Sequence, residues 1–224
     1  MNRTIKLLML IGACAAVSVS SYALAANLER NDPAGASVTR ELPWDGSESL
    51  SVEVPASVRF VQTSGAGKVV VTGARRSVET FTSSGGVLSD GRWHTGKPLE
   101  IVVFAPRITR FLLKGSDKLV IEAFDQPELR IETLGRAEVK ASGKAARITL
   151  QLQGFGWADL GALDAAEADV SLTGSRHAIV SVSDRARVSG NGSVVLVRKP
   201  GSLELDLGDS GRVFTLGDAQ AQVR

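Results

Sequence analysis

Residues 115–188 read GSDKLVIEAFDQPELRIETL, GRAEVKASGKAARITLQLQ, GFGWADLGALDAAEADVSLT, GSRHAIVSVSDRARV. Broken at Gly115, Gly135, Gly154 and Gly174, the stretch falls into four lines with glycine spacings of 20, 19 and 20 residues. Each line contains short runs in which apolar residues alternate with other types. One set is Leu119-x-Ile121-x-Ala123, Ala137-x-Val139-x-Ala141, Ala158-x-Leu160-x-Ala162 and Ala178-x-Val180-x-Val182. The other is Leu129-x-Ile131-x-Thr133, Ile148-x-Leu150-x-Leu152 and Ala168-x-Val170-x-Leu172. Alternation places the apolar members on one face of a strand. Two strands per line, each followed by a corner of small residues, make one coil of a solenoid. The apolar columns then stack from coil to coil about 4.8 Å apart. One coil cannot bury its inner face alone, so stability depends on the number of coils.

The sequence therefore predicts an all-β chain folded as a β-solenoid with coils of about 20 residues. The alternative is an antiparallel β-sandwich. It would call for two-residue hairpin loops such as Asn-Gly, which are nearly absent. It would also call for large rings between its sheets, and aromatics are only 5% of the chain.

Outward from this stretch the pattern loosens. Residues 26–46, with Pro33, Gly35 and Pro43, read as an extended arm. Leu50, Val52, Val54, Val58 and Phe60 alternate, and residues 68–72 form a valine run closed by Gly73. Residues 74–98 are irregular. Ser83-Ser84-Gly85-Gly86 marks a turn, and Trp93-His94 sits near Gly96 and Pro98. No convincing amphipathic helix is present. Beyond residue 188, Leu203-x-Leu205-x-Leu207 is a clean alternating strand, and residues 218–224 form a polar tail.

The first 25 residues read as a secretory signal. Arg3 and Lys6 precede an apolar core at residues 7–19, and Ala23-Leu24-Ala25 is an A-x-A cleavage pattern. The core is shorter than the roughly 20 residues of a membrane span. Export to the periplasm is the expectation, with no membrane span after cleavage. Ile11-Gly12-Ala13-Cys14 also resembles a lipobox, in which Cys14 would be lipidated and anchor the chain. The chain has 26 basic and 24 acidic residues, and the leader holds two of the basic ones. The remainder is balanced, so bulk charge favours neither nucleic acid nor an anionic membrane.

The leader, the VEVPASVRF strand at residues 52–60, the Leu99 strand with Ala105-Pro106, and the corners ending in SGNGSV and LGDSGRV together resemble the GIN domain. That family is also described as the head domain of autotransporter adhesins of the bacterial envelope. The resemblance covers about residues 45–217, with the domain itself at 47–217. The Ser-Gly-Ser-Gly corners common in the family are degenerate here: Lys114-Gly115-Ser116, Leu134-Gly135-Arg136, Gly154-Phe155-Gly156 and Thr173-Gly174-Ser175. The resemblance implies a right-handed parallel β-helix and no established enzyme activity.

No constellation for catalysis emerges. Asp159 and Asp169 fall on different expected sheets, and Asp164 and Glu167 fall at a corner. Calcium needs about six to eight oxygen ligands. The two histidines, His94 and His177, are far apart, and no ligand spacing for a metal exists. No G-x-S-x-G elbow is present. Gly65-Ala66-Gly67-Lys68 lacks the earlier glycine and the Ser/Thr of a P-loop. The expectation is a non-enzymatic surface with no cofactor and no metal. Trp93, His94, Phe155 and Trp157 are the candidate ligand residues, since exposed rings can stack on sugars. Such a surface suits a glycan, an envelope protein or a second copy of the chain. The alternatives are a carbohydrate-active enzyme, lyase or hydrolase, and a self-associating structural solenoid.

Overall fold

The computed structural model describes residues 37–91, 97–174 and 176–216. The expected signal at 1–25, Cys14 and the tail at 218–224 lie outside these. The described residues are all-β, with one short helix. In chain order the elements are β1 (Ser37–Pro43), β2 (Ser49–Val52), β3 (Ala56–Gln62), β4 (Lys68–Ala74), α1 (Arg75–Thr80), β5 (Phe81–Ser84), β6 (Val87–Asp90) and β7 (Leu99–Ala105). They continue as β8 (Arg110–Leu113), β9 (Ser116–Asp125), β10 (Glu128–Thr173), β11 (Arg176–Gly190), β12 (Ser193–Leu196), β13 (Ser202–Leu207) and β14 (Arg212–Thr215).

Strand β10 explains the organisation. Its 46 residues stay extended throughout. Laid straight it would run about 150 Å at roughly 3.3 Å per residue, so it must bend repeatedly at corners. It pairs in parallel with β8, β9 and β11, where Arg130 lies opposite Arg110, Arg136 opposite Ser116, and Gly156 opposite Arg176. The same parallel relation continues from β11 to β12 and β13, and from β12 to β14. Each pass of the chain thus lies beside the pass about one sequence line earlier.

The inward columns follow the alternation. Val139, Leu150, Leu160, Val170, Val180 and Val188 are buried, as are Leu119, Ile131 and Ile148. Two positions depart from the expected columns. Ala123 and Ala162 are exposed, and Phe124 and Leu163 take the interior. Both lie at corners where the pairing register shifts, near Ala141/Gly143 and Leu160/Asp164. Ala123 adopts φ 52°, so the chain turns there rather than continuing the pleat.

The N-terminal third departs further. β1 pairs antiparallel with β4, β4 with β7, and β5 with β6. Residues 37–43, expected within a free arm, are therefore a docked edge strand. Gly85 and Gly86 have φ 59° and 75°, and Ser84 pairs with Val87. That is a two-residue hairpin of the I′ kind. Helix α1 buries Val78 beside Phe81. All fourteen strands belong to one sheet, whose path ends at β1 and β5. The two ends approach each other, because Arg40 Nη1 donates to the carbonyls of Val78 at 3.3 Å and Phe81 at 3.4 Å. The sheet is nearly closed. Rings gather in this third: Phe60 and Phe111 meet edge to face with centroids 5.4 Å apart. Aliphatic residues dominate the buried columns of β10 and β11, with Phe124 of β9 also buried.

Corner geometry leaves no room for side chains at some glycines. Gly143 has φ 126°, and a Cβ there would strike the Phe124 backbone. Gly143→Ala should lower the unfolding free energy by about 2 kcal/mol, read as a lower urea midpoint. Gly65→Ala is the comparison: only Thr63 Oγ1 approaches its Cβ, at 3.9 Å, so its midpoint should hold.

Candidate functional site

The corner at Gly154-Phe155-Gly156-Trp157 interrupts the simple glycine pattern, and the structure makes it the rim of a groove. Gly156 has φ 149°, and its missing Cβ lets the backbone press against Ala137 O. Flanked by two such glycines, Phe155 is pushed outward and is 66% exposed. Trp157 is half-buried beside it. The two rings line an open groove of about 590 Å³ together with Lys118, Arg136, Glu138 and Asp117. Lys118 Nζ and Glu138 Oε1 stand 3.7 Å apart, opposite one another on the β9–β10 ladder. Lys140 Nζ lies 5.2 Å from the Trp157 ring centre. The result is an apolar platform with a polar rim of both signs.

Of the four residues expected from sequence, Phe155 and Trp157 come together here. Trp93 and His94 lie outside the described residues. His177 is exposed opposite Trp157 on the β10–β11 ladder.

Two charged residues point inward, and the alternation that places them was present in the sequence. Asp117-x-Leu119-x-Ile121 puts an acid in an apolar column, and Arg176-x-Ala178-x-Val180 does the same for a base. Arg176 is only 1% exposed. Its Nη2 donates to Gly135 O at 3.3 Å and its Nε to Thr173 O at 3.4 Å, while Nη1 is buried with no partner. The Phe155 ring covers it at 5.9 Å. Desolvation lowers its pKa. With no acid paired to it among the described residues, Arg176 spends its donors on the backbone carbonyls of Thr173 and Gly135, and so supports the platform from below.

Asp117 accepts from Gly115 N–H at 2.9 Å and from Ala56 N–H at 3.3 Å, tying the first corner to β3. Burial pushes its pKa up to about 6, against the opposing pull of the two backbone donors. The folded state therefore holds a proton that the unfolded chain releases near pH 4. Its contribution to stability is full below about pH 4, falls as pH rises to about 6, and is level above.

Several other acids are held in separate ion pairs. Glu122 faces Arg59, Glu53 binds Lys114, Glu167 binds Arg147, and Glu204 binds Arg187. Asp164 binds Arg198. Among the described residues no three His, Cys, Asp or Glu side chains are grouped to hold a metal.

Residues 96–200 match the family described as "Putative auto-transporter adhesin, head GIN domain". In this segment the chain is similar to the GIN domain. Lys118, Arg136, Phe155 and Trp157 all fall inside the matched segment. The fold is similar to the crystal structure of a putative adhesin from Bacteroides fragilis, with a TM-score of 0.64 at 16% identity, covering 82% of this chain and 99% of that one. A putative adhesin from Parabacteroides merdae is similar with a TM-score of 0.50 at 14% identity, over 81% of this chain and 97% of that one. At these identities the likeness is one of fold. No curated protein matches the chain.

Replacing Asp117 by Asn should flatten the pH dependence of stability between pH 4 and 6. Urea unfolding of both proteins at pH 4 and 7 measures this. An undiminished difference in the variant would remove Asp117 as its source.

Proposed function

We propose that the chain carries a non-enzymatic binding domain of the bacterial cell envelope, built on a right-handed parallel β-helix, whose Phe155–Trp157 groove takes a glycan. The observation that carries this is an exposed phenylalanine on a rigid corner beside a half-buried tryptophan, above a groove with charged rims. Sugar rings present apolar C–H faces to aromatic rings, and their hydroxyls suit Lys118, Arg136 and Glu138. An envelope protein is the other partner such a platform suits. The succession of parallel ladders, with Arg136 on Ser116, His177 on Ser193 and Ser193 on Arg212, supports the helical coil. The family description and the similar adhesin structures support an envelope role. Among the described residues no helix is long and apolar enough to cross a membrane, and the Ala-Leu-Ala signal supports export to the periplasm. The dispersed, ion-paired carboxylates support binding over hydrolysis or lysis, which need converging acids. No cofactor enters this function.

Binding of envelope glycans to the exported domain, followed by calorimetry, tests the groove. Trp157→Ala should weaken a bound glycan about three- to tenfold while leaving the Arg147→Gln control unaffected. Equal affinity in the Trp157→Ala variant would dismiss the platform.

A specific feature also favours self-association. Leu205 and Phe214 are 48% and 53% exposed on the last pass, and Leu203 and Leu216 are exposed beside them. Among the described residues β13 pairs only with β11 and β14 only with β12, so each keeps a free edge. Such edges invite further strands. The exposed apolar side chains gather at this end, which favours contact between two C-terminal passes. Two copies would meet about a two-fold axis. Molar mass by light scattering should rise with concentration, and Leu205→Lys should hold the chain monomeric. A monomer at all concentrations would refute the contact.

A further inference from the structure

On the face formed by β2, β8 and the start of β10, one ladder position breaks a rule kept elsewhere. Across the ladders that join different strands, charged residues that lie opposite each other are of opposite sign. Glu138 faces Lys118, Lys144 faces Asp125, Glu167 faces Arg185, Asp169 faces Arg187, and Arg187 faces Glu204. The exception is Arg130, which lies opposite Arg110. Neighbouring strands are about 4.8 Å apart, and like charges directly opposite destabilise a sheet.

Both arginines are exposed, and neither has an ion pair or a side-chain hydrogen bond among the described residues. Where an acid does lie within reach, as for Arg147 and Arg187, the guanidinium grips a glutamate with Nε and Nη2. Arg110 and Arg130 line a groove of about 210 Å³ with Ser49, Ser51 and Glu132. Ser49 continues the same column, opposite Arg110. Glu132 sits one pleat along, opposite Leu112, so the ladder gives it no arginine.

We propose that Arg110 and Arg130 form a binding site for the oxyanion of an anionic saccharide, a carboxylate or a phosphate. Two guanidinium groups on adjacent strands offer parallel N–H donors at a spacing one planar or tetrahedral oxyanion bridges. Charge-assisted bonds of this kind are stronger than neutral ones. The groove hydroxyls of Ser49 and Ser51 serve the rest of the sugar. The two like charges repel and a bound anion offsets that repulsion, so binding and stability are coupled. The site lies apart from the Phe155–Trp157 groove and shares none of its lining residues.

The test is the thermal midpoint of the exported domain titrated with inorganic phosphate or with glucuronate, against chloride at equal ionic strength. In the parent at least one anion should raise the midpoint beyond chloride. Phosphate alone identifies a phosphate ligand, glucuronate alone a carboxylate, and both together a general oxyanion site. Arg110→Gln and Arg130→Gln should each abolish the added rise, while Arg147→Gln keeps it. Without anion, the two glutamine variants should melt no lower than the parent, because each removes one repelling charge. The proposal is overturned if neither anion exceeds chloride, if the glutamine variants keep the rise, or if they melt lower without anion.

Discussion

Backbone approaches backbone closely at the corners around Gly143, Gly156 and Gly190, and the rest of the fold depends on that contact. At Gly143 and Gly190 a Cβ would collide with the carbonyl of the preceding pass. The ladder between passes requires strands about 4.8 Å apart, and a chain that bends this sharply keeps that spacing only where side chains are absent. The glycines therefore set the register. Once it is set, each apolar residue falls on its equivalent one pass away, and columns made mostly of Val, Leu, Ile and Ala close. A larger residue at a corner would shift a pass, and a shift of one residue exchanges interior for exterior along the whole strand.

The regular region was legible for this reason. Period and alternation are both properties of single residues at fixed spacing, and Val139, Leu150, Leu160 and Val170 are buried as the pattern requires. Corners were less so. Ala123 and Ala162 continue the alternation on paper but turn outward, because the register shifts there and the next residue takes the interior. The N-terminal third was least legible. Its antiparallel ladders pair residues far apart in sequence, such as Ser37 with Ala74, and no local period announces them. Gly85-Gly86 did carry a hairpin signal, while the six residues of α1 are too few for a helical period to show.

The groove was half legible. An aromatic pair set between glycines stands out in a chain poor in rings, and Phe155 and Trp157 are together. The charged residues around it come from β9 and from an earlier pass of β10, and only the register brings Lys118 opposite Glu138. Asp117 and Arg176 carried a clearer signal, since each breaks an apolar column. They show two solutions to an inward charge. Asp117 accepts two backbone N–H groups and is held toward its neutral form by burial. Arg176 stays below the platform and gives its donors to corner carbonyls.

Opposite charges in register do little for stability one pair at a time, because exposed ion pairs contribute roughly 1 kcal/mol or less. Their larger effect is on specificity of pairing. In a stack of similar passes, alternative registers would be close in energy if only the apolar columns spoke for the native one. Glu138 on Lys118, Asp169 on Arg187 and Arg187 on Glu204 give each pass a further mark against a slipped neighbour. Arg130 on Arg110 supplies no such mark and works weakly against its own register. That register is fixed instead by the buried partners on either side, Ile131 on Phe111 and Thr133 on Leu113. The core is thus strong enough at this pass to carry two like charges on its surface, which is the condition under which a site for an anion can persist on a ladder.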